Sequence, residues 1–253
     1  MTVEQLAAAI FERIPSSLSC EWDNDGLMVS GDTSRPVRRV LCTLDVTEET
    51  VDYAIGGGFD LIVSHHPLIF RGLKSLTPND HVGRKVLALA ENGISVISLH
   101  TRADAVLDGV NDRLAELLGI GETSKFGEGM IGRIGCLAEP MPLSEFCQEI
   151  KEALGAPFVL AADAEREVFC VAVCGGDGKD FVEDALTAGA DTFVSGRIGY
   201  HQMTDAPEMG INLVEAGHFY TETHITEFFA QIVSDIAPDA EIEEFSSNII
   251  LSI

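Results

Sequence analysis

The sequence predicts an α/β fold with mainly parallel sheets, and two observations lead to this class. First, short β-rich runs alternate with amphipathic helical segments in the order "RRVLCTL" (38–44), "VTEETVDYAIGGG" (46–58), "DLIVS" (60–64), "GRKVLALAENG" (83–93) and "ISVISL" (94–99). This strand-helix-strand rhythm is typical of a parallel sheet with helices on its faces. Second, an internal repeat indicates two similar α/β lobes.

The ends of the first helices are marked by residue type. Thr47 precedes the helical pattern and can cap it, while the glycines at 56–58 stop it. Gly93 ends the next helix in the same way. The strand and helix boundaries of the first lobe can therefore be placed from the sequence.

The repeat appears when the chain is shifted by 131 residues, which superposes "VDYAIGGGFDLIVS" (51–64) on "VEDALTAGADTFVS" (182–195). The identical pairs are Val51/Val182, Ala54/Ala185, Gly58/Gly189, Asp60/Asp191, Val63/Val194 and Ser64/Ser195. At a slightly different offset, "GISVISLHTRAD" (93–104) resembles "GINLVEAGHFYTE" (210–222). Two matches in the same order favour duplication of an α/β half.

The predicted lobes are residues 1–125 and 126–253, because a glycine-rich stretch at 121–141 separates the two copies. No Pro/Ser-rich linker occurs, so we expect the lobes to pack closely. The C-terminal helix and strand could pack back on the first lobe.

The chain is strongly acidic, with 41 acidic and 16 basic residues and a formal net charge of -25. Nucleic acid would meet a mostly repulsive surface, so direct nucleic-acid binding is not expected. The carboxylates suit a cation site, but solubility or a salty habitat explains the total charge equally well.

The six cysteines are scattered without a C-x-x-C pair, which predicts buried, reduced thiols. The N-terminus lacks the features of a signal peptide, and no run of about 18 apolar residues occurs. We therefore expect a cytoplasmic protein without a membrane span.

Three predicted strands end in residues that can bind metal. "LIVS" runs into His65 and His66, "ISVISL" into "HTRAD" (100–104), and "INLVEA" into "GHFYTE" (217–222). Functional groups of parallel sheets collect at the carboxyl ends of strands, so all three can face one crevice. Pro67 marks the end of the strand, and a chain that leaves the strand here would allow the two adjacent imidazoles to bind different ions.

The second histidine motif adds a carboxylate, because His218 and Glu222 share one face if their segment is helical. With Asp104, the set contains three imidazoles and two carboxylates, which suits Zn, Fe, Mn, Co or Ni better than Ca or Mg. Too few ligands are present to saturate two ions, so positions for water or substrate would stay open.

Other motifs have weaker functional interpretations. A single histidine at a strand end, such as His81 or His224, is more often structural than a ligand. "CGGDGKD" (174–180) matches no phosphate-loop pattern and is typical of a tight turn. Ser64 beside His65 lacks a nucleophile elbow, so a serine hydrolase is disfavoured.

Six blocks along the chain are characteristic: "EWDNDGLMVSGD" (21–32), "SHHPLIF" (64–70), "LHTRADAVLDGVNDRLAELLGI" (99–120), "GRIG" (132–135), "GADTFVSGRIGYH" (189–201) and "EAGHFYTE" (215–222). In these blocks, and in their order, the chain resembles the NIF-three-like family, also called GTP cyclohydrolase I type 2 homologues. The chain resembles the short form, without the domain that some members carry between the halves.

The resemblance implies two interlocked α/β lobes, two divalent ions per subunit and a toroidal homohexamer built as a trimer of dimers. By motif position, the family's metal ligands fall on His65, His66, Asp104, His218 and Glu222. His100 and His201 also lie in family blocks, and we predict that they support the ligands or transfer protons. Trp22, Asp23 and Asn24 are expected to shape the rim of the site or the surrounding fold.

One departure concerns Arg102 and Ala103, where the family often has Asn and Leu, so a charge is added near the proposed site. Together with Arg71, Lys74 and Arg197, Arg102 could contact an anionic small-molecule substrate.

Two functions remain open. The leading hypothesis is a metal-dependent hydrolase-like enzyme that uses a metal-bound water, with cyclohydrolase action on GTP suggested by the inherited name alone. The alternative is a non-catalytic metal-binding chaperone, metal-insertion or scaffold protein.

Overall fold

A computed structural model describes residues 1–250 and confirms the α/β class. The helices are α1 (Val3–Arg13), α2 (Glu48–Gly57), α3 (His81–Glu91), α4 (His100–Ala105), α5 (Val110–Leu117), α6 (Leu143–Leu154), α7 (Val182–Thr187), α8 (Tyr200–Met209), α9 (His218–Glu222) and α10 (Ile225–Ile236). The strands are β1 (Gly26–Val29), β2 (Arg39–Thr43), β3 (Leu61–Ser64), β4 (Ser95–Ser98), β5 (Gly121–Phe126), β6 (Gly132–Met141), β7 (Leu160–Ala162), β8 (Val168–Asp177), β9 (Thr192–Arg197), β10 (Asn212–Glu215) and β11 (Glu241–Phe245). None of these helices is long and apolar enough to cross a membrane.

The described part of the chain folds as two units, each with its own sheet and core. The first contains residues 1–103 and 225–250, and the second contains residues 104–224. The sequence predicted a boundary after residue 125 instead. Residues 110–117 belong with the second unit because Leu114 of α5 lies in its core, and β11 belongs with the first because it pairs with β2.

The first unit contains a five-stranded sheet in the order β1-β4-β3-β2-β11. Strands β2, β3, β4 and β11 are parallel, and β1 is an antiparallel edge strand. Every residue of β3 and β4 is buried, as expected for strands covered on both faces. The core joins sheet residues such as Leu41 and Ile62 to Val51 of α2 and Leu89 of α3.

The predicted ends of α2 are confirmed. The Thr47 side chain accepts a hydrogen bond from the Thr50 backbone N–H, and Gly58 ends the helix in the left-handed region with φ 66°. Gly93, with φ 68°, follows α3 in the same conformation. These residues set where β3 and β4 begin, and therefore where the histidines that follow them lie.

The second unit contains a six-stranded sheet in the order β5-β6-β8-β9-β10-β7. This sheet is mixed rather than mainly parallel: β8, β9 and β10 run parallel, while β5, β6 and β7 pair antiparallel with their neighbours. The reason is topological, because β5 and β6 form a hairpin before the parallel repeat begins. The core of this unit packs Val171 and Val194 against Phe146 and Ile150 of α6.

The repeat predicted from the sequence corresponds to equivalent segments of the two units. Strands β2, β3 and β4 are parallel neighbours in chain order, as are β8, β9 and β10. In each unit a short helix follows the third strand and begins with a histidine, His100 in α4 and His218 in α9. The topology therefore places both histidine motifs at the carboxyl end of a parallel strand.

Candidate metal centre

The two adjacent histidines lie directly after β3. The backbone N–H groups of His65 and His66 donate to the carbonyls of Thr43 and Leu44 at 3.2 and 2.9 Å, which continues the β2-β3 pairing for two residues. His65 is fully buried and His66 is half-buried. Their ring centroids lie 4.9 Å apart with planes inclined by 52°, so the imidazoles point in different directions.

His66 is oriented by a carboxylate that the sequence pattern did not single out. Its Nδ1 lies 2.8 Å from Oδ1 of Asp45. A carboxylate on Nδ1 fixes the ring and presents Nε2 as the ligating nitrogen, which is the usual arrangement behind metal-bound histidine. Asp45 follows β2 at the same sheet edge, and this position after a parallel strand is the signal that could have identified it.

His100, the first residue of α4, has the same arrangement. Its Nδ1 lies 2.8 Å from Oδ1 of Asp23. Its ring centroid lies 5.4 Å from that of His65 and 5.8 Å from that of His66. One ring nitrogen from each of these three histidines lies within 4.8 Å of the other two, so the first unit holds a group of three imidazoles that could hold a metal ion.

The side chain of Asp23 is buried and holds the start of α4. Its Oδ2 accepts hydrogen bonds from the Thr101 backbone N–H and hydroxyl at 3.0 and 2.6 Å. Burial alone would raise the pKa of the Asp23 carboxyl, but the hydrogen bonds from His100 and Thr101 outweigh it and hold that pKa well below its usual range. Asp23 therefore holds the segment that begins with His100, a role in the surrounding fold, which is one of the two roles expected for it.

Two aromatic rings adjoin His100. The ring centroid of Trp22 lies 6.2 Å from that of His100, and that of Phe70 lies 6.0 Å from it, both edge to face. Both aromatic side chains are partly exposed, at 56% and 45%. The Asn24 side-chain amide donates to the Ile69 carbonyl and joins the two loops. The imidazole group therefore has a fixed aromatic border.

The second unit holds the other predicted ligands. His218 and Glu222 lie one turn apart on α9, with Nε2 2.9 Å from Oε2. Glu222 is buried, with 4% exposure, and one of its carboxylate oxygens lies within 4.8 Å of one from Asp104. The pKa of the buried Cys174 thiol is raised well above its usual value by desolvation and then by the charges of Asp104 and Glu222.

Glycines allow the β8 and β9 strand ends to approach these side chains. A Cβ on Gly176 would collide with Oε1 of Glu222 and lie 3.2 Å from Nε2 of His218. A Cβ on Gly196 would lie 2.5 Å from the Thr221 hydroxyl and 2.7 Å from the His218 Cα. The Gly176 N–H also donates to the Thr221 hydroxyl at 3.1 Å. Gly176 and Gly196 were not identified as site residues, although both stand where predicted strands end.

The remaining predicted residues lie elsewhere. His201 is exposed near the start of α8, and among residues 1–250 it joins none of the groups suited to a metal, so its proposed proton-transfer role stays a prediction. His224 contacts the Val110 carbonyl at 2.9 Å, and His81 is exposed beside Asp80, which agrees with structural or surface roles.

Arg102 has a structural partner. Its guanidinium pairs with the Asp25 carboxylate, and the two side chains are 4% and 5% exposed. It also stacks over Phe11 at 5.0 Å and donates to the Ile14 carbonyl. Its charge is therefore neutralised within the first unit. Arg71, Lys74 and Arg197 are exposed and remain predicted contacts for an anionic substrate.

The donor chemistry fits a transition-metal ion. Imidazole nitrogen and carboxylate oxygen together are typical of Zn, Fe, Mn, Co and Ni sites. The carboxylates of Asp45 and Asp23 contact Nδ1 of His66 and His100, as carboxylates commonly do behind metal-bound histidine. The fold and these groups define a class: a two-sheet α/β protein whose strand ends carry imidazole and carboxylate groups able to hold a metal ion.

Comparison with known proteins identifies the family within this class. The chain matches the family Duf34/NIF3 (NGG1p interacting factor 3) over residues 1–250 and belongs to it. It is 34% identical over 230 residues to the GTP cyclohydrolase 1 type 2 homolog of Clostridium acetobutylicum, covering 88% of this chain and 85% of the relative. It is 35% identical over 222 residues to the protein NIF3 homolog of Schizosaccharomyces pombe, covering 81% and 79%. The resemblance inferred from the sequence is confirmed.

The fold agrees with solved structures. The crystal structure of Staphylococcus aureus protein SA1388 matches with a TM-score of 0.88 and 26% identity, covering 100% of this chain and 99% of that one.

Proposed function

We propose that the chain binds two divalent transition-metal ions per subunit and acts as a metal-dependent hydrolase-like enzyme. The proposed ligands are His65, His66, Asp104, His218 and Glu222. The observation that carries the proposal is the group of three imidazoles after β3 and β4. Within it, Asp45 orients the proposed ligand His66, and Asp23 holds His100 in place beside the proposed ligands.

Each unit contains part of the proposed ligand set. The first has imidazoles, and the second adds an imidazole and two carboxylates. Donors of these types would hold a divalent ion, which would supply Lewis acidity toward a substrate oxygen and toward a bound water. The protein's own part is to orient His66 through Asp45, to hold His100 through Asp23, and to keep Glu222 in a buried setting that excludes bulk water.

Metal content is the direct test. Untagged protein, purified without chelator and then dialysed against limiting Zn, Fe, Mn, Co or Ni, is analysed by elemental mass spectrometry. We expect about two ions per chain, and His65→Ala and Glu222→Gln should each remove at least one. His81→Ala is the matched control, since His81 is an exposed histidine outside the donor groups. Metal content that is unchanged in both ligand variants would rule the ligand assignment out.

Turnover separates the two candidate functions. Metal-loaded protein is offered a panel of phosphoesters, amides and nucleotides, with GTP included because close relatives carry the name GTP cyclohydrolase 1 type 2 homolog. We expect hydrolysis that is lost in Glu222→Gln. Protein that hydrolyses nothing on the panel but transfers its metal to a client would favour a chaperone, metal-insertion or scaffold function instead.

We also propose that the subunits form a homohexamer, as the family resemblance implies. Light scattering after size-exclusion chromatography should then give a mass about six times the 27.2 kDa of the chain. A monomer or dimer at micromolar concentration would contradict the hexamer without affecting the metal proposal.

A further inference from the structure

Two cysteines of the second unit face each other across a pair of strands. Cys136 of β6 and Cys170 of β8 are direct partners in the antiparallel ladder. Directly opposite residues place their side chains on the same face of the sheet, with Cβ atoms about 4.5–5.5 Å apart. Their Sγ atoms lie 2.7 Å apart. Closing a disulfide from this arrangement requires only a small adjustment of the two side chains.

The pair is open to small molecules. Cys136 is exposed and Cys170 is half-buried, so the prediction that all the thiols are buried is wrong here, because this face of β6 is in contact with solvent. Both cysteines line an open depression of about 510 Å³ whose wall includes small residues: Gly121, Gly135, Ala188 and Gly189. A ligand of a few hundred daltons can therefore reach the sulfurs.

The two thiols differ in exposure. The contact with Cys136, followed by burial and the charge of Asp191, raises the pKa of Cys170 to about 11. Cys136 is the more exposed thiol of the pair, so we assign the first attack to Cys136. Asp191 also holds the strand at this point, since its Oδ2 accepts the Cys170 backbone N–H at 2.7 Å.

We propose that Cys136 and Cys170 form a reversible thiol-disulfide site that reacts with low-molecular-weight disulfides. Cys136 attacks one sulfur of the small disulfide and releases one small thiolate, which leaves a mixed disulfide on Cys136. The Cys170 sulfur then attacks the Cys136 sulfur and releases the second small thiolate. The protein loses two electrons and two protons, and the small disulfide becomes two thiols.

This site is separate from the proposed metal ligands. Cys170 precedes Cys174, the residue near the carboxylates of Asp104 and Glu222, by four positions on β8, or about 13 Å along a strand. Metal binding by the two sulfurs is disfavoured because a closed thiolate site uses four ligands. Among the described residues, no third histidine, cysteine or carboxylate joins this pair in a metal-holding group.

The test uses the full chain and oxidised glutathione. Reduced protein is incubated across a series of glutathione redox buffers, and the remaining thiols are counted by maleimide labelling and intact mass. We expect the wild type to lose two of its six thiols and two hydrogens, with a peptide map linking Cys136 to Cys170. Adding a reductant should restore both thiols. A wild type that keeps all six thiols in the most oxidising buffer would overturn the proposal.

Single serine variants test the order of attack. Cys170→Ser should accumulate one glutathione on Cys136, because the second step is blocked. Cys136→Ser should form an adduct more slowly, because the remaining thiol of Cys170 is half-buried whereas Cys136 is exposed. Cys147→Ser, which changes another half-buried cysteine, should behave as wild type. Equal adduct rates in the two site variants would contradict the assigned roles. Thermal unfolding of each reduced variant checks that the fold is retained.

Discussion

Asp60 and Asp191, which are equivalent in the internal repeat, make the same backbone contacts in the two units. Oδ2 of Asp60 accepts the backbone N–H groups of residues 38 and 39 at 2.8 and 3.0 Å. The Asp191 carboxylate accepts those of residues 169 and 170 at 2.7–3.1 Å. In each case the carboxylate precedes the second strand of the repeat and holds the beginning of the first. The equivalent aspartates therefore have the same structural role in both units.

Replacing these carboxylates should destabilise the protein unequally. In Asp191→Asn, an amide N–H₂ would face backbone donors, so we expect a loss of about 1–3 kcal/mol in the free energy of unfolding. Asp60→Asn should cost less because Asp60 is only half-buried, whereas Asp191 is 8% exposed. Urea unfolding measures both, with exposed Glu12→Gln as the control. An Asp191→Asn variant as stable as the control would contradict the role assigned to this carboxylate.

The repeat explains how much of the fold could be predicted. Strand and helix periodicity, Thr47 and the glycines that end helices are local signals, so the β2-β4 segment was placed correctly. The pairing of β6 with β5 and β8 is not local: "MIGRIGCL" is typical of a strand, but nothing in those residues specifies antiparallel neighbours. The pairing of β11 with β2 joins residues about 200 positions apart. The sequence therefore left open whether the C-terminal strand packs on the first lobe.

The candidate site was predicted unevenly for a similar reason. Histidines that follow strands are conspicuous in the sequence, so His65, His66 and His218 were predicted as candidate ligands, and each lies in a group that could hold a metal ion. Asp45 was missed because its role depends on which ring lies beside it, and this requires the neighbouring strand. Arg102 was interpreted as a substrate contact because its partner, Asp25, lies 77 residues earlier in the chain.

The buried pair of Arg102 and Asp25 predicts a large effect on stability. Removing one partner leaves an uncompensated buried charge, so Arg102→Leu should lower the free energy of unfolding by about 3–5 kcal/mol. Arg13→Leu is the matched control, because Arg13 pairs with Asp235 at 3.8 Å with both side chains about half exposed and should cost less than about 1 kcal/mol. Urea unfolding compares the two. Similar losses of unfolding free energy in the two variants would show that the buried Arg102–Asp25 pair contributes no more to stability than an exposed ion pair.

Trp22 should report metal binding. It is the only tryptophan in the chain, and its ring centroid lies 6.2 Å from that of His100. The rings of His65 and His66 lie beside that of His100, so a paramagnetic ion such as Co²⁺ or Ni²⁺ bound by these two proposed ligands should quench Trp22 fluorescence in a saturable titration. The double variant His65→Ala/His66→Ala should lose this quenching, and His81→Ala should keep it. Quenching that survives the double variant would place the ion elsewhere.

Gly176 offers a test of whether Glu222 must keep its position for metal binding. Gly176 has φ +67°, and a Cβ there would collide with the Glu222 carboxylate. Gly155 has nearly the same backbone conformation, with φ +64°, but a Cβ there meets nothing within 4 Å. Alanine at either position adds left-handed strain of about 1–3 kcal/mol, so the pair separates backbone strain from displacement of Glu222.

We expect Gly155→Ala to lose some stability but keep its full metal content. Gly176→Ala should lose more stability, because Glu222 is buried and has little room to move, and it should also bind at least one ion fewer per chain. Urea unfolding and elemental analysis measure the two effects separately. If Gly176→Ala is less stable than Gly155→Ala but retains its metal, Glu222 moves without releasing an ion and is not a ligand. If the two variants match in both measurements, the close approach of Gly176 to Glu222 has no consequence for the site.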